Sequence, residues 1–441
     1  MPTSFRHYAP EQDLLLPPSL GEWLPEGHLA YFISDVVEEL DLVAFYAPYQ
    51  GDGRRKSPYE PRMMLKILLY AYTTGVFSSR KIAKKLEEDV AMRVLAANNF
   101  PQHRTICDFR KRHLEDFKSL FIQVVQIAHE AGLVRLGTVA IDGTKVKANA
   151  SKHKAMSYGR MQPEEQRLEQ EIAELCSQAR RTDEEEDRLY GEDQRGDELP
   201  EELQHRQDRL EKIRQAKARL EQAQCDADTA RGRHPDDGRK PPRGGRPYSR
   251  DFGVPPDQSQ SNFTDPQSRI MKTSEGYQQC YNGQLAVDDE FQLIVANALI
   301  NNASDNGALI GLVEGIEQTL GEAPQAVLAD AGYRSESCLE ELEHRHIEAY
   351  VSLGREGKDS STINAEDYPA TARMAAKLGE ADGKARYAQR KALVEPANGW
   401  IKNVLGFRRF SLRGLQAVRG EWDLICLATN LRRMQPLIVM N

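Results

Sequence analysis

Cysteine is scarce in this 441-residue chain and is never paired along it. The six residues, Cys107, Cys176, Cys225, Cys280, Cys338 and Cys426, contain no CxxC spacing. That argues against a zinc site and a disulfide framework, and for reduced thiols in a cytoplasmic protein. Long apolar runs are missing as well: nothing approaches the ~18 consecutive apolar residues of a membrane-crossing helix. The leading MPTSFRHYAPEQD lacks the charged-then-apolar layout of a secretory signal, so a cytoplasmic chain with no membrane partner is expected. Positive charge is also short overall, with a net of −8. That shortage is local. Residues 161–230 hold 21 Asp and Glu against 11 Lys and Arg, and removing them leaves 46 acids facing 48 bases, a net of +2.

The bases outside that segment come in stripes. Lys145, Lys147, Lys152, Lys154 and Arg160 occupy residues 143–160 without an acid, as do Lys402, Arg408, Arg409, Arg413 and Arg419 in residues 401–420. Residues 231–250 carry seven bases, Arg231, Arg233, Arg239, Lys240, Arg243, Arg246 and Arg250, against two Asp. Such stripes suit a phosphate backbone, although any one of them alone also reads as ordinary solvated surface.

Organisation follows from pattern. Residues 1–130 read as an all-helical segment: PRMMLKILLYAYTTGV is apolar nearly all round, the mark of a central helix, and SSRKIAKKLEEDVAMRVLAAN starts on a Ser cap and runs to Asn98. A Pro-containing turn and a further helix, PQHRTICDFRKRHLEDFKSLFIQVVQIAHEAGL, complete the outline of a helix-turn-helix. In that reading His103, Arg104, Thr105 and Arg110 face a DNA groove; the alternative is a helical hairpin with solvated charges. Residues 131–160 open an α/β core with the strand TVAID. Residues 161–260 interrupt it with a helical hairpin, in which Leu203, Leu210, Ile213 and Leu220 keep a heptad-like rhythm, followed by a flexible linker rich in Pro, Gly and Arg. The heptads fit either packing within the hairpin or contact with a second chain.

The core resumes over residues 261–441 with strand signals at RIMKT, YNGQLAVDDE, FQLIVANALI, QAVLAD and IEAYVSL, separated by helices, and with helices again from about Arg386. The second and third signals flank a tight turn and read as a hairpin. Residues 354–383 read as charged loop. The expected fold class is α/β: a mixed five-stranded sheet with helices on both faces.

Three acids stand out in this frame. Asp142 and Asp330 each close a short aliphatic run, TVAI and AVLA, as a functional residue does at the carboxyl end of a buried parallel strand; Glu395 lies in a helical stretch. Strand, strand and helix can bring three carboxylates onto hard divalent cations. Two ions ~3.5–4 Å apart would clamp an in-line displacement at phosphorus, with Mg²⁺ the expected ion and Mn²⁺ a possible substitute. Tyr387, Lys391, Glu395 and Lys402 share a helical face by spacing, so the lysines could hold flanking phosphates, with Trp400 nearby.

At these residues the chain resembles the DDE transposases of bacterial insertion sequences, and most closely the group named after insertion sequence 1182. Five blocks carry the resemblance: SSRKIAKKLEED with TICDFRKRH, AIDGTK around Asp142, NFTDPQSRIMKT through GYQQCYNGQLAVDD, ADAGY around Asp330, and VEPANGWIKNVLGFRRFSLRG around Glu395. It implies an RNase H-like core and an N-terminal helical DNA-binding domain. It further implies hydrolysis at transposon ends and transfer of 3′ ends into target DNA, with Asp142, Asp330 and Glu395 as catalytic metal ligands. Double-stranded DNA, both terminal inverted repeats and target, is the implied partner, met by a homodimer or higher oligomer. In the related Tyr-x2-Arg-x3-Glu-x6-Lys signature Glu395 and Lys402 fit; Lys391 stands in the Arg position with Arg390 adjacent, and Tyr387 is out of register. Asn262 and Asp265 fall in the third block without an assigned role. A nuclease on the same core, or an idle DNA-binding descendant, stays open as the alternative.

Overall fold

The computed structural model describes residues 19–49, 58–190, 201–237, 247–354 and 364–439. The chain opens with helices α1 (Leu29–Glu39), α2 (Val43–Tyr46) and α3 (Pro61–Thr73). Glu60 caps α3 by accepting from the Met63 N–H, Pro61 takes the first helical position, and ten of the helix's residues from Pro61 to Thr73 are buried, so it is the central helix its composition indicates. The expected single helix from Ser79 to Asn98 is two, α4 (Ser79–Glu88) and α5 (Val90–Leu95). Asp89 sits in extended backbone between them and its carboxylate accepts from the Ala91 and Met92 N–H groups, a cap in place of a continuing turn. The following stretch also divides, into α6 (His103–Arg112) and α7 (Asp116–Glu130), at a break where the His113 ring bonds Asp116 at 2.7 Å.

Strand β1 (Thr138–Lys147) leads to a short β2 (Ala155–Ser157), then to α8 (Tyr158–Tyr190) and α9 (Glu201–Ala230). Arg206–Glu171 at 3.1 Å, Arg214–Glu165 at 2.9 Å and Arg209–Glu164 at 2.8 Å cross between the two helices, which run antiparallel. Met161, Leu168, Leu210, Ile213 and Ala216 form their own small core, with Leu220 packed against it, so the heptad residues are used within the hairpin. The short strand β3 (Gln260–Asn262) pairs with β2 and closes its base. Of the expected basic linker, residues 238–246 lie outside the described residues, and its flanks are packed on the end of α9. Arg233 makes a buried ion pair with Asp228 at 3.1 Å, and Gly253 N–H donates to the same carboxylate.

The sheet is completed by β4 (Arg269–Thr273), β5 (Gly276–Asp288), β6 (Ile294–Ile300), β7 (Ala326–Ala329) and β8 (Glu348–Val351). Helices α10 (Ala308–Leu320), α11 (Glu336–His344), α12 (Pro369–Gly379), α13 (Ala381–Gly399) and α14 (Leu415–Val439) follow in order among and after the strands. The mixed α/β character is as expected, but among the described residues the sheet has six strands, not five. Its order is β4–β5–β1–β7–β8, and β6 joins β4 along the outer edge of the long β5. β5 and β6 form the anticipated antiparallel hairpin; β1, β7 and β8 are parallel. Part of the expected loop 354–383 is helix α12, and α13 begins five residues before Arg386.

Trp422 of α14 presses on Gly283 of β5, where a Cβ would meet the indole at 2.5 Å, while α10 packs through Gly315 on Ala296 of β6. Gly283 and Ala286, the β5 partner of Ala296, are on opposite faces by strand alternation, so helices cover both sides. One hydrophobic core runs from Leu29 of α1 through the sheet to Met434 of α14; the N-terminal helices share it with the strands.

Candidate active site

Parallel pairing places the two strand acids side by side. Ala140 of β1 lies opposite Leu328 of β7, so Asp142 and Asp330 stand at matching positions two residues on. β1 does not end at Asp142, as its sequence suggested. It continues to Lys147 because residues 143–147 pair with β5 after the contact with β7 has stopped. Asp330 does close its strand and caps the turn Ala331–Tyr333, accepting from Gly332 N–H at 2.8 Å. Burial pushes the Asp142 carboxyl up to about 6; Arg390 pulls it back and the neighbouring Asp330 pushes further.

Helix α13 faces Asp142 with Arg390 and Asn398. The Arg390 guanidinium stands 3.4 Å from one Asp142 oxygen, and Asn398 Nδ2 donates to the other at 3.1 Å. Val394, Ala397 and Ile401 are the buried residues that set this orientation. Lys391 is therefore exposed, and Arg390 is the base that reaches the acid. Glu395 is exposed too. A π-helical turn at Trp400–Val404 adds a residue to the helix and returns Lys402 toward the sheet. Burial holds the Lys402 amine below its usual value, with Cys280 and Asp142 opposing the shift.

A third acid, unnoticed in the sequence, belongs to this cluster. Asp305, in the loop before α10, accepts at Oδ1 from Asn282 Nδ2 (2.6 Å), Gln284 Nε2 (2.7 Å) and Lys145 Nζ (3.4 Å). NNASDNGALI reads as a helix cap, but the cap position is Gly307, in left-handed backbone, and the Asp305 side chain turns to the sheet instead. Beside Gly143 a groove of about 430 Å³ is lined by Thr144, Lys145, Lys147, Lys402, Asn403 and Arg408 among others. Lys147 pairs with Glu275, and Arg408 and Arg409 are exposed, held by Asn403 and Asn149 at 2.8 and 2.7 Å.

On α6, His103, Arg104 and Thr105 are exposed, but Arg110 is not available to a groove. It is 5% exposed, donates to Tyr72 Oη at 2.9 Å and Phe77 O at 2.8 Å, and faces the buried Glu421. Asp265 is wholly buried and accepts from Tyr281 Oη and from Gly414 N–H; Asn262 caps the same turn through the Thr264 and Asp265 N–H groups. Among the described residues Asp265 Oδ2 is left without a partner.

Among the described residues no group of three or more His, Cys, Asp or Glu side chains is arranged to hold a metal ion. The chemistry of the donors still fits a hard cation: carboxylates at Asp142, Asp330 and Asp305, and buried amide oxygens of Asn398 and Asn282 that have no donor.

Residues 226–431 match the model of the transposase DDE domain, and residues 18–112 match the model of a second transposase domain, DUF772. Asp305, Asp330 and Glu395 fall inside the first match, whereas Asp142 lies between the two. No curated protein and no solved structure matches the chain. Paired carboxylates on an α/β sheet, joined to these two domains, define a nucleic-acid-processing enzyme. The chain thus carries stretches similar to a transposase DDE domain and to a second transposase domain, matches that support a role in DNA transposition. Among the described residues no helix is long and apolar enough to cross a membrane.

Proposed function

We propose that this protein cleaves DNA at the ends of an insertion sequence and joins the freed 3′ ends to target DNA, as a cytoplasmic enzyme of the insertion-sequence-1182 type. The observation that carries this reading is the matched position of Asp142 and Asp330 on adjacent parallel strands beside a basic groove. The strand order, three antiparallel strands (β6, β5, β1) continuing into two parallel ones, supports an RNase H-like core. Asp142 and Asp330 would hold Mg²⁺, with Mn²⁺ as substitute. Glu395 precedes Asn398 by three residues, so the two are neighbours on the surface of the helix that bonds Asp142, which supports Glu395 as a further metal ligand. Two bound ions would activate the attacking oxygen and steady the leaving one. The chain's own groups do the rest. Lys145, Lys147, Lys402, Arg408 and Arg409 hold the phosphates along the groove as charge-assisted contacts. His103, Arg104 and Thr105 on the first turn of α6 meet the double helix, and residues 1–130 act as the DNA-binding domain. Two transposon ends held together call for a dimer or larger assembly on DNA.

The test is cleavage and strand transfer on duplexes carrying the inverted repeats that flank the gene, with Mg²⁺ and with Mn²⁺. Asp142→Asn, Asp330→Asn and Glu395→Gln should each lower the rate at least ~10³-fold, the loss expected when transition-state stabilisation of ~4 kcal/mol is removed. Undiminished cleavage in all three variants sinks the proposal, and cleavage without joining favours a nuclease.

A further inference from the structure

We propose that Asp305 is a further metal-binding carboxylate of this site, approaching it from the sheet face opposite α13. The inference rests on the divalent-ion reading above. Three observations carry it. First, Asp305 and Asp330 flank one point: a Cβ built on Gly332 would lie 3.1 Å from Asp305 Oδ2 and 3.0 Å from Asp330 Oδ1, so any side chain there would crowd both carboxylates. Second, the two Asp305 oxygens are used differently. Oδ1 collects Asn282, Gln284 and Lys145, while Oδ2, on the Asp330 side, takes no protein donor among the described residues. Third, Asn282 is wholly buried, and its Oδ1 has no donor although its Nδ2 is committed to Asp305. That oxygen lies 3.1 Å from where a Gly143 Cβ would stand, beside the Asp305 carboxylate. A buried acceptor left unpaired next to acids suits a cation better than a closed hydrogen-bond network. Gln284 also accepts from Tyr333 Oη, which ties Asp305 to the turn that carries Asp330.

Lys145 then has two roles. At 3.4 Å it is the cation that partners Asp305, and an ion bound there would release the amine toward the groove it already lines.

The experiment measures Mn²⁺ affinity from the free-ion electron paramagnetic resonance signal, using the full chain without DNA. Asp142→Asn, Asp305→Asn and Asp305→Glu are compared with wild type, and melting curves confirm folding. Asp305→Asn should weaken Mn²⁺ binding by ~10-fold or more, and Asp305→Glu, which keeps the charge but displaces the oxygens by a methylene, should weaken it as well. If Asp305→Asn does not fold, Asp305→Glu decides. Wild-type affinity in the folded Asp305 variants, with loss in Asp142→Asn, overturns the role of Asp305 and leaves the metal reading standing. Mn²⁺ binding that is absent from wild type, or unchanged in Asp142→Asn, overturns both.

Discussion

Arg110 shows how far a residue's setting can depart from its type. Its position in a basic run suggests a groove contact, yet its guanidinium is enclosed by Tyr72, the Phe77 carbonyl and the charge of Glu421. Glu421 is itself buried completely; burial pushes its carboxyl up, and Arg110, with the Ser411 and Leu412 donors, holds it back. Removing one member of a buried pair costs more than the pair contributes, because the other charge is left without water or partner. Arg110→Met should therefore destabilise the fold by ~3 kcal/mol or more in urea unfolding. Arg104→Ala, on the exposed side of the same helix, should weaken binding to duplex DNA and leave the urea midpoint unchanged. The opposite pattern, a stable Arg110→Met with lost DNA affinity, would return Arg110 to the groove.

At the scale of elements, glycine positions decide how closely helices approach. Gly420 of α14 faces the backbone of Leu114: a Cβ there would collide with the Leu114 carbonyl, its carbon only 2.9 Å away. Alanine is the better helix former by about 1 kcal/mol, whereas overpacking against a backbone costs ~1–3 kcal/mol. The second effect should win, so Gly420→Ala is expected to lower thermal stability although it raises helix propensity; a stabilised variant would mean that α14 can move away from Leu114 freely. The strands were legible because TVAI, AVLA and EAYV are short apolar runs buried in a sheet. The breaks at Asp89 and at His113–Glu115 were not: the first depends on the Asp89 side chain capping α5 instead of continuing a turn, and the second is marked by a His113–Asp116 side-chain contact. The extension of β1 was hidden because its partner β5 follows a long insertion. Asp330 was legible as a strand-end acid, and the same signal picked out Asp142 although its strand runs on to Lys147. Asp305 was not, because its donors Asn282 and Gln284 lie 23 and 21 residues away in sequence. Spacing alone picked Lys391 over Arg390, and the burial of Val394 and Ala397 turned the helix by that one residue.

For the molecule as a whole, acids buried in one shared core set the pH dependence of folding. Burial pushes the carboxyls of Asp142, Asp288 and Asp423 up to about 6, Asp289 adding to the effect at Asp288 and Lys118 opposing it at Asp423. An unfolded Asp titrates near ~4, so between that pH and about 6 the folded chain holds more protons than the unfolded one. Folded pKa values above the unfolded ones mean stability is lost as pH rises through this window and regained on acidification. His113 works the other way: burial lowers its pKa, so its share of stability falls as pH drops through ~6.5. Carboxylates held low by ion pairs, such as Glu38 and Glu343, lose their contribution only below ~4.5. These three acids, joined by the raised Glu421, against one imidazole leave acidification favourable between pH 7 and pH 5, each of the three aspartates carrying about 1–3 kcal/mol. The melting temperature of protein stripped of divalent ions should therefore be higher at pH 5 than at pH 7 by circular dichroism. Asp423→Asn, which removes one of the three titrations far from the candidate site, should shrink that difference. A melting temperature that falls steadily from pH 7 to pH 5 in wild type would falsify the assignment of these three acids as the dominant titrating groups.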